Sequence, residues 1–252
     1  MAYRKNIVIT GASAGLGEGM ARRFAAAGRD LALCARRTER LERLAAELKE
    51  HHPGIRVVTR ELDVNDHDRV FTVFREFRDE LGGLDRVIVN AGLGKGQPIG
   101  TGYFAANRQT AETNFVAALA QCEAALEIFR EQNAGHLVVV SSFSALRGMP
   151  RNLTAYAASK AALATLAEGI RADTYRTPIA VTALLPGYIE SEMTSRAGTS
   201  RTPLLAGADR GAAALVKAIE KERPKAYVPA WPWAPLAAVV KALPLGVLRR
   251  VV

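Results

Sequence analysis

Tyr156 and Lys160 stand four residues apart in the run Tyr156-Ala157-Ala158-Ser159-Lys160. On a helix, that spacing places a phenol and an ammonium on one face, where both can reach a single point. A hydroxyl beside a fixed cation can give or take a proton. Far upstream, Thr10-Gly11-Ala12-Ser13-Ala14-Gly15-Leu16-Gly17 joins an apolar run to a helical pattern. A turn without side chains lets the backbone approach a phosphate, whose negative charge the following helix N-terminus favours. One segment can move a proton; the other can cradle a dinucleotide.

The glycines read G-x-x-x-G-x-G, a partial match to the general dinucleotide fingerprint, so the turn taken alone is also compatible with a structural bend. The end of the second apolar run, Leu33-Cys34-Ala35-Arg36-Arg37, carries no carboxylate for the ribose hydroxyls of NAD. A guanidinium there offers planar, charge-assisted hydrogen bonds to the extra phosphate of NADP. NADP(H) is therefore expected over NAD(H), with Arg36 and Arg37 as phosphate ligands. The competing reading pairs both arginines with Glu39 and Glu42 at a solvated helix start.

These residues need a frame that brings distant turns together. Apolar runs at Ile7 to Ile9, Leu31 to Cys34, Val57 to Val58, Val87 to Val89, Leu137 to Val140 and Val181 to Leu185 alternate with helically spaced segments. The helices are expected at about 16–28, 39–51, 66–81, 105–132, 154–176 and 207–222. Stripes such as Leu41, Leu44, Ala45 and Leu48, or Val70, Val73, Phe74 and Phe77, mark core faces. Strands apolar on consecutive residues are buried on both sides, which predicts an α/β fold: a doubly wound parallel sheet with helices on both faces, Rossmann-like and single-domain. The domain is expected over residues 1–228, followed by an apolar C-terminal tail over 229–252.

Composition supports a globular protein: 49% of the 252 residues are hydrophobic and 23% charged, with no low-complexity tract. The net charge of +9 raises nucleic acid as a partner, but the arginines are scattered, so none is expected. Cys34 and Cys122 form neither a metal pair nor a disulfide framework, which suits a reducing cytoplasm, and no metal is expected. Ile7-Val8-Ile9 is too short for a signal-peptide core, so a cytoplasmic location is expected.

Together with Asp63-Val64, Asn90-Ala91-Gly92, Asn114 and Pro186-Gly187, the glycine turn and the Tyr-x-x-x-Lys segment make the chain resemble the short-chain dehydrogenase/reductase family over nearly its whole length. The resemblance implies a catalytic set of Asn114, Ser142, Tyr156 and Lys160. It also implies that Gly11, Ser13, Leu16 and Gly17 surround the cofactor phosphates, that Asp63 with Val64 contacts adenine, and that Asn90 and Gly92 line the cleft. Pro186, Gly187 and Ile189 would hold the nicotinamide, and Ser191 stands where the family usually carries Thr. Within that set, Lys160 and an oxidised nicotinamide would lower the Tyr156 phenol, Ser142 would polarise the substrate oxygen, and Asn114 would hold a water chain. The family's serine lies one residue closer to the tyrosine than Ser142 and one further than Ser144. Ser142 is preferred because Met149 to Leu153 can absorb the inserted residue, leaving Ser144 to line the pocket.

The implied activity is hydride transfer between NADP(H) and the carbonyl or secondary alcohol of a small molecule, with Tyr156 exchanging the proton. A non-catalytic NADP(H)-sensing binding protein on the same scaffold is the alternative. Leu93, Phe143, Leu146, Met149, Tyr188 and Met193 would make an apolar substrate lining, and Arg147 points either inward to a carboxylate or outward. The serine-, threonine- and glycine-rich loop from Tyr188 to Ala206 suits a lid. Homodimers or homotetramers are implied by the family. Pro235 and Pro244 prevent the tail from forming one spanning helix. It caps the cleft or a subunit contact, or else associates weakly with a membrane surface through its tryptophans and Lys241, Arg249 and Arg250.

Overall fold

The computed structural model describes residues 3–196 and 204–251. Strands β1 (Asn6–Thr10), β2 (Asp30–Ala35), β3 (Val57–Glu61), β4 (Arg86–Val89), β5 (Gly135–Val140), β6 (Ile179–Pro186) and β7 (Lys225–Val228) form one sheet. Their order is β3-β2-β1-β4-β5-β6-β7, and every pairing is parallel. Between them run α1 (Gly15–Ala26), α2 (Thr38–His51), α3 (His67–Leu81), α4 (Phe104–Ala111), α5 (Ala117–Gln132), α6 (Thr154–Asp173), α7 (Glu192–Arg196) and α8 (Ala208–Glu220). The order reverses between β1 and β4, so the loops after those strands part there and leave a crevice at the carboxyl edge.

Alternation along the strands builds two cores. Ile7 and Ile9 of β1 join Met20 and Phe24 of α1, Leu41 and Leu44 of α2 and Leu215 of α8. Val8, between them, joins Phe74 and Phe77 of α3, Phe129 of α5 and Leu163 of α6 on the opposite face. The sheet is thus the middle of three layers, Rossmann-like and single-domain, as its consecutive apolar residues predicted. Cys34 and Cys122 are separately buried, and burial pushes both thiols up to about 12, which leaves them inert at neutral pH.

Three elements differ from the sequence reading. The helix expected over 105–132 is α4 and α5 joined by a π-helical turn over Glu112–Val116. The edge strand β7 is only Lys-Ala-Tyr-Val, with Lys225 exposed, too short and too polar at its start to stand out by periodicity. The tail is helical, as α9 (Ala230–Ala242) and α10 (Leu245–Val251), with Pro235 inside α9 near its start. Of the loop from Tyr188 to Ala206, residues 197–203 lie outside the described chain, while its first part forms α7 and Ile189 bridges to Ala206.

At the amino edge of the sheet, far in sequence from the glycine turn, the fully buried Arg86 donates to His136 Nδ1 at 2.9 Å and pairs with Glu220 at 2.8 Å and Glu222 at 3.3 Å. Burial and the Arg86 charge depress His136 to about 3, so the imidazole is neutral and accepts from that guanidinium. The ion pairs tie α8 and the segment before β7 to the centre of the sheet.

Candidate active site

The glycine turn is built for close approach. Gly11 and Gly15 have φ of 65° and 57°, a backbone that favours glycine. A Cβ on Gly17 would lie 2.4 Å from the Gly11 carbonyl oxygen and 2.7 Å from Asn90 Nδ2, so α1 begins hard against the turn. Asn90 Nδ2 donates to the Thr10 carbonyl at 2.9 Å, and the amides of Asn90 and Ala91 donate to Thr10 Oγ1 at 3.0 and 3.1 Å. These bonds lock the loops after β1 and β4 together. No side chain caps the N-terminus of α1, at Ala14, so its first amides face the crevice without a side-chain partner, as a phosphate site requires. The cradle and its free donors fit a dinucleotide pyrophosphate.

Ser13 is buried in the turn and accepts from Arg37 Nε at 3.3 Å. Arg37 also pairs with Glu192 at 2.9 Å, and Arg40 joins it on the other carboxylate oxygen. The expected alternative partners Glu39 and Glu42 are thus replaced by a residue of α7, which sequence proximity could not suggest. Arg36 is exposed and lies 3.8 Å from Asp63, whose other oxygen accepts from the amide and side chain of Asn65 at 3.0 and 2.8 Å. Val64 and Ile189 turn their side chains into the cores, away from the positions of cofactor contacts. Leu16 packs partly against the second core. Ser191 caps α7, its amide donating to Thr194 Oγ1 at 2.9 Å and its hydroxyl accepting from the Thr194 amide at 3.3 Å.

On the first turn of α6, Tyr156 stands beside the Ser142 hydroxyl. That hydroxyl accepts from the Ser144 amide at 3.1 Å, which turns Ser144 into a support of the bend after β5. Lys160, one turn along α6, is buried and donates to the Val140 carbonyl at 2.9 Å. Burial lowers its ammonium to about 8. A Cβ on Gly92 would lie 3.2 Å from Lys160 Nζ and 3.3 Å from Asn114 Oδ1, so Gly92 leaves both groups room to meet the cleft.

The Tyr156 phenol is raised, not lowered, in the ligand-free protein. Burial is the main cause, the Ser142 hydrogen bond opposes it, and Tyr188 adds to it. The expected depression needs the oxidised nicotinamide as well as Lys160; without the cofactor, burial disfavours phenolate more strongly than the groups around it favour it.

Asn114 sits in the π-helical turn, fully buried. Its Oδ1 accepts from the Leu93 amide at 2.7 Å, and its Nδ2 donates to the Leu93 carbonyl at 2.8 Å and to Ser159 Oγ at 3.2 Å. The side chain therefore fixes the loop after β4, with both Nδ2 hydrogens and one Oδ1 lone pair engaged. A π-turn does set a backbone carbonyl out of the helical ladder.

The tail walls the other side. Trp233 is buried on Gly187, where a Cβ would lie 1.9 Å from the indole. It meets Phe143 edge-on at 4.7 Å between centroids and Tyr188 at 5.6 Å. Arg147 points neither to a substrate nor to open solvent: its guanidinium donates to the carbonyls of Val240 and Leu243 at the end of α9. Leu248 of α10 packs with Met149 and Ala157. Leu146 packs against the first core, and Met193 lies against Gly94.

The provision for a dinucleotide and the provision for a proton adjoin at one crevice, which defines the class as a dinucleotide-dependent oxidoreductase of Rossmann architecture. Comparison with known proteins narrows it. The family model for short chain dehydrogenase matches residues 5–202, and the chain belongs to the short-chain dehydrogenase/reductase family, whose fold binds a nicotinamide cofactor. It is 55% identical over 247 residues to an uncharacterized oxidoreductase of Mycobacterium tuberculosis, covering 98% of this chain and 97% of that protein. Dehydrogenase/reductase SDR family member 7B of Bos taurus is 34% identical over 205 residues, 79% of this chain and 63% of that one. An alcohol dehydrogenase of the archaeon Thermococcus sibiricus, complexed with 5-hydroxy-NADP, superposes with a TM-score of 0.78 at 26% identity, covering 88% of this chain and 95% of that one.

Proposed function

We propose that the protein is an NADP(H)-dependent reductase of apolar ketones or aldehydes, with Tyr156 as proton donor. The observation that carries the reading is the Tyr156 hydroxyl beside Ser142, with the buried Lys160 one turn further along α6. A bound nicotinamide supplies hydride to the carbonyl carbon, or accepts it in the reverse direction. Ser142 orients and polarises the substrate oxygen. Tyr156 gives its proton to that oxygen, and a phenol held protonated by burial suits this direction. Lys160 stabilises the phenolate left behind, and the π-turn that carries Asn114 anchors the water that restores the proton. Gly11, Ser13, Leu16 and Gly17 hold the phosphates, and Arg36, Arg37 and Asp63 with Val64 hold the adenosine end. Asn90, Gly92, Pro186, Gly187, Ile189 and Ser191 hold the nicotinamide end.

NADP(H) preference rests on Arg37, which donates to Ser13 of the glycine turn, and on the neighbouring exposed Arg36 beside Asp63. The NADP analogue in the Thermococcus sibiricus enzyme and the NADPH dependence named for the 3-quinuclidinone reductase of Rhodotorula rubra (25% identical, TM-score 0.75) agree with it. An apolar substrate is favoured by the wall of Phe143, Tyr188 and Trp233. The decisive experiment follows nucleotide absorbance with NADPH or NADH against a panel of ketones and aldehydes. Turnover of apolar carbonyls with NADPH is expected. Tight NADPH binding with no turnover of any carbonyl or corresponding alcohol would replace the enzyme by a nucleotide-sensing protein.

We place the protein in the cytoplasm as a homodimer or homotetramer, with α9 and α10 also meeting anionic membrane surfaces. Among the described residues no helix is long and apolar enough to cross a membrane. Yet Trp231, Val239, Leu245 and Val247 are exposed, and after Glu222 the sequence carries Arg223, Lys225, Lys241, Arg249 and Arg250 with no acidic side chain. Sedimentation with phosphatidylserine vesicles is expected at low salt, weakening at high salt and absent with neutral vesicles. Failure to sediment at low salt removes the membrane and leaves this face to a second copy.

A further inference from the structure

Helix α7 lies across the mouth of the proposed cofactor cleft and touches three of its rims. Ser191 stands beside Gly15, where an added Cβ would come within 3.3 Å of the serine Cβ. Met193 presses on Gly94, in the loop after β4, at 3.3 Å from the position of a Cβ there. Glu192 reaches the adenosine side, with one carboxylate oxygen on Arg37 at 2.9 Å and the other on Arg40 at 2.5 Å. Arg37 in turn holds Ser13 of the glycine turn. The carboxylate is therefore the anion of a small built cluster whose cationic donors converge from α2 and its N-cap.

We propose that Glu192 is a specificity-determining residue, a built-in competitor that, braced by Arg40, occupies the Arg37 guanidinium which a cofactor 2′-phosphate would need. The inference rests on the NADP(H) reading above and goes beyond it, since it assigns the cost of 2′-phosphate binding to a residue on the strap over the cleft. A phosphate and a carboxylate cannot both take the same N–H donors, and like charges at close range repel. An incoming 2′-phosphate must displace Glu192 and detach the adenosine side of α7. A nucleotide with a free 2′-hydroxyl makes no such demand, and the clasp can stay closed over it. The two arginines hold Glu192 well below the usual carboxylate range, at about 2, so the competitor is charged throughout the working pH range.

The pairs are exposed on both partners, which limits each to a surface value. Two such contacts correspond to about a fivefold change in affinity. The test is calorimetric titration of NADP+ and NAD+ into the wild type, Glu192→Gln and Glu192→Asp, at low and high salt. Glu192→Gln is expected to bind NADP+ about fivefold tighter while NAD+ changes by less than about twofold. The gain should shrink at high salt, because exposed charges are screened within about 10 Å at 0.1 M ionic strength. Glu192→Asp, which keeps the charge, should stay near the wild type. Equal shifts for both nucleotides would overturn the proposal and leave Glu192 as a general tether of α7. Weaker NADP+ binding by Glu192→Gln would also overturn it, by showing that the carboxylate orients the arginines for phosphate. Wild-type protein that binds neither nucleotide fails the cofactor reading itself, a result separable from any difference between variants.

Discussion

Tyr156→Phe should bind NADPH within about twofold of the wild type and lose about a thousandfold in kcat, the middle of the range for a lost general acid. The change removes one oxygen from a ring seated in the first turn of α6, where that oxygen faces Ser142. The glycine cradle and the arginines do not touch it, so nucleotide affinity serves as the control for folding. Ser142→Ala should follow with a smaller loss and Ser144→Ala with least, since Ser144 contributes its backbone amide to the bend. Reduction by the wild type should be steady through neutral pH and fall as pH rises through about 8, where Lys160 loses its proton. The sign follows from the role: below that value the ammonium is charged and can stabilise phenolate, and above it the charge is gone. Single-turnover hydride transfer followed by stopped flow reads both effects. Turnover of Tyr156→Phe at the wild-type rate would remove the phenol from the mechanism.

The sheet was readable in sequence because burial on both faces forces consecutive apolar residues, as in Ile7 to Ile9 and Leu137 to Val140. The phosphate cradle was readable because Gly11 and Gly17 answer steric demands that no other residue meets. What stayed hidden depends on contacts between distant segments. Nothing local to Arg37 announces Glu192, and the partner suggested by proximity, Glu39, is not used. Local pattern does not show that the Asn114 amide is spent on Leu93, because a π-turn has no periodic signature. The rise of the Tyr156 phenol in the ligand-free protein is hidden for a related reason: the spacing to Lys160 fixes which helix face the two share, but not how much burial surrounds the phenol.

The tail supplies the second large effect, because its indole serves both the fold and the cleft. Trp233→Ala should lower stability by about 3 to 5 kcal/mol, the range for deleting a buried large aromatic side chain. The loss is expected near the upper end of that range, since Trp233 also makes edge-on contacts with Phe143 and Tyr188. Gly187 cannot fill the gap, having no side chain, and its backbone is held by the bond from its amide to the Val228 carbonyl at 2.9 Å. The far end of α9 should stay docked through Arg147 on Val240 and Leu243, and α10 through Leu248 on Met149. The damage is therefore local to the aromatic wall beside the proposed nicotinamide turn. KM for a small apolar ketone should rise about tenfold, while bulky ketones gain relative to it, since one wall of the cleft has receded. Trp233→Phe should recover most of the stability and only part of the discrimination. Urea unfolding and a substrate size series read the two consequences separately. A stability loss with unchanged KM across the series would confine Trp233 to fastening the tail and place the substrate wall elsewhere.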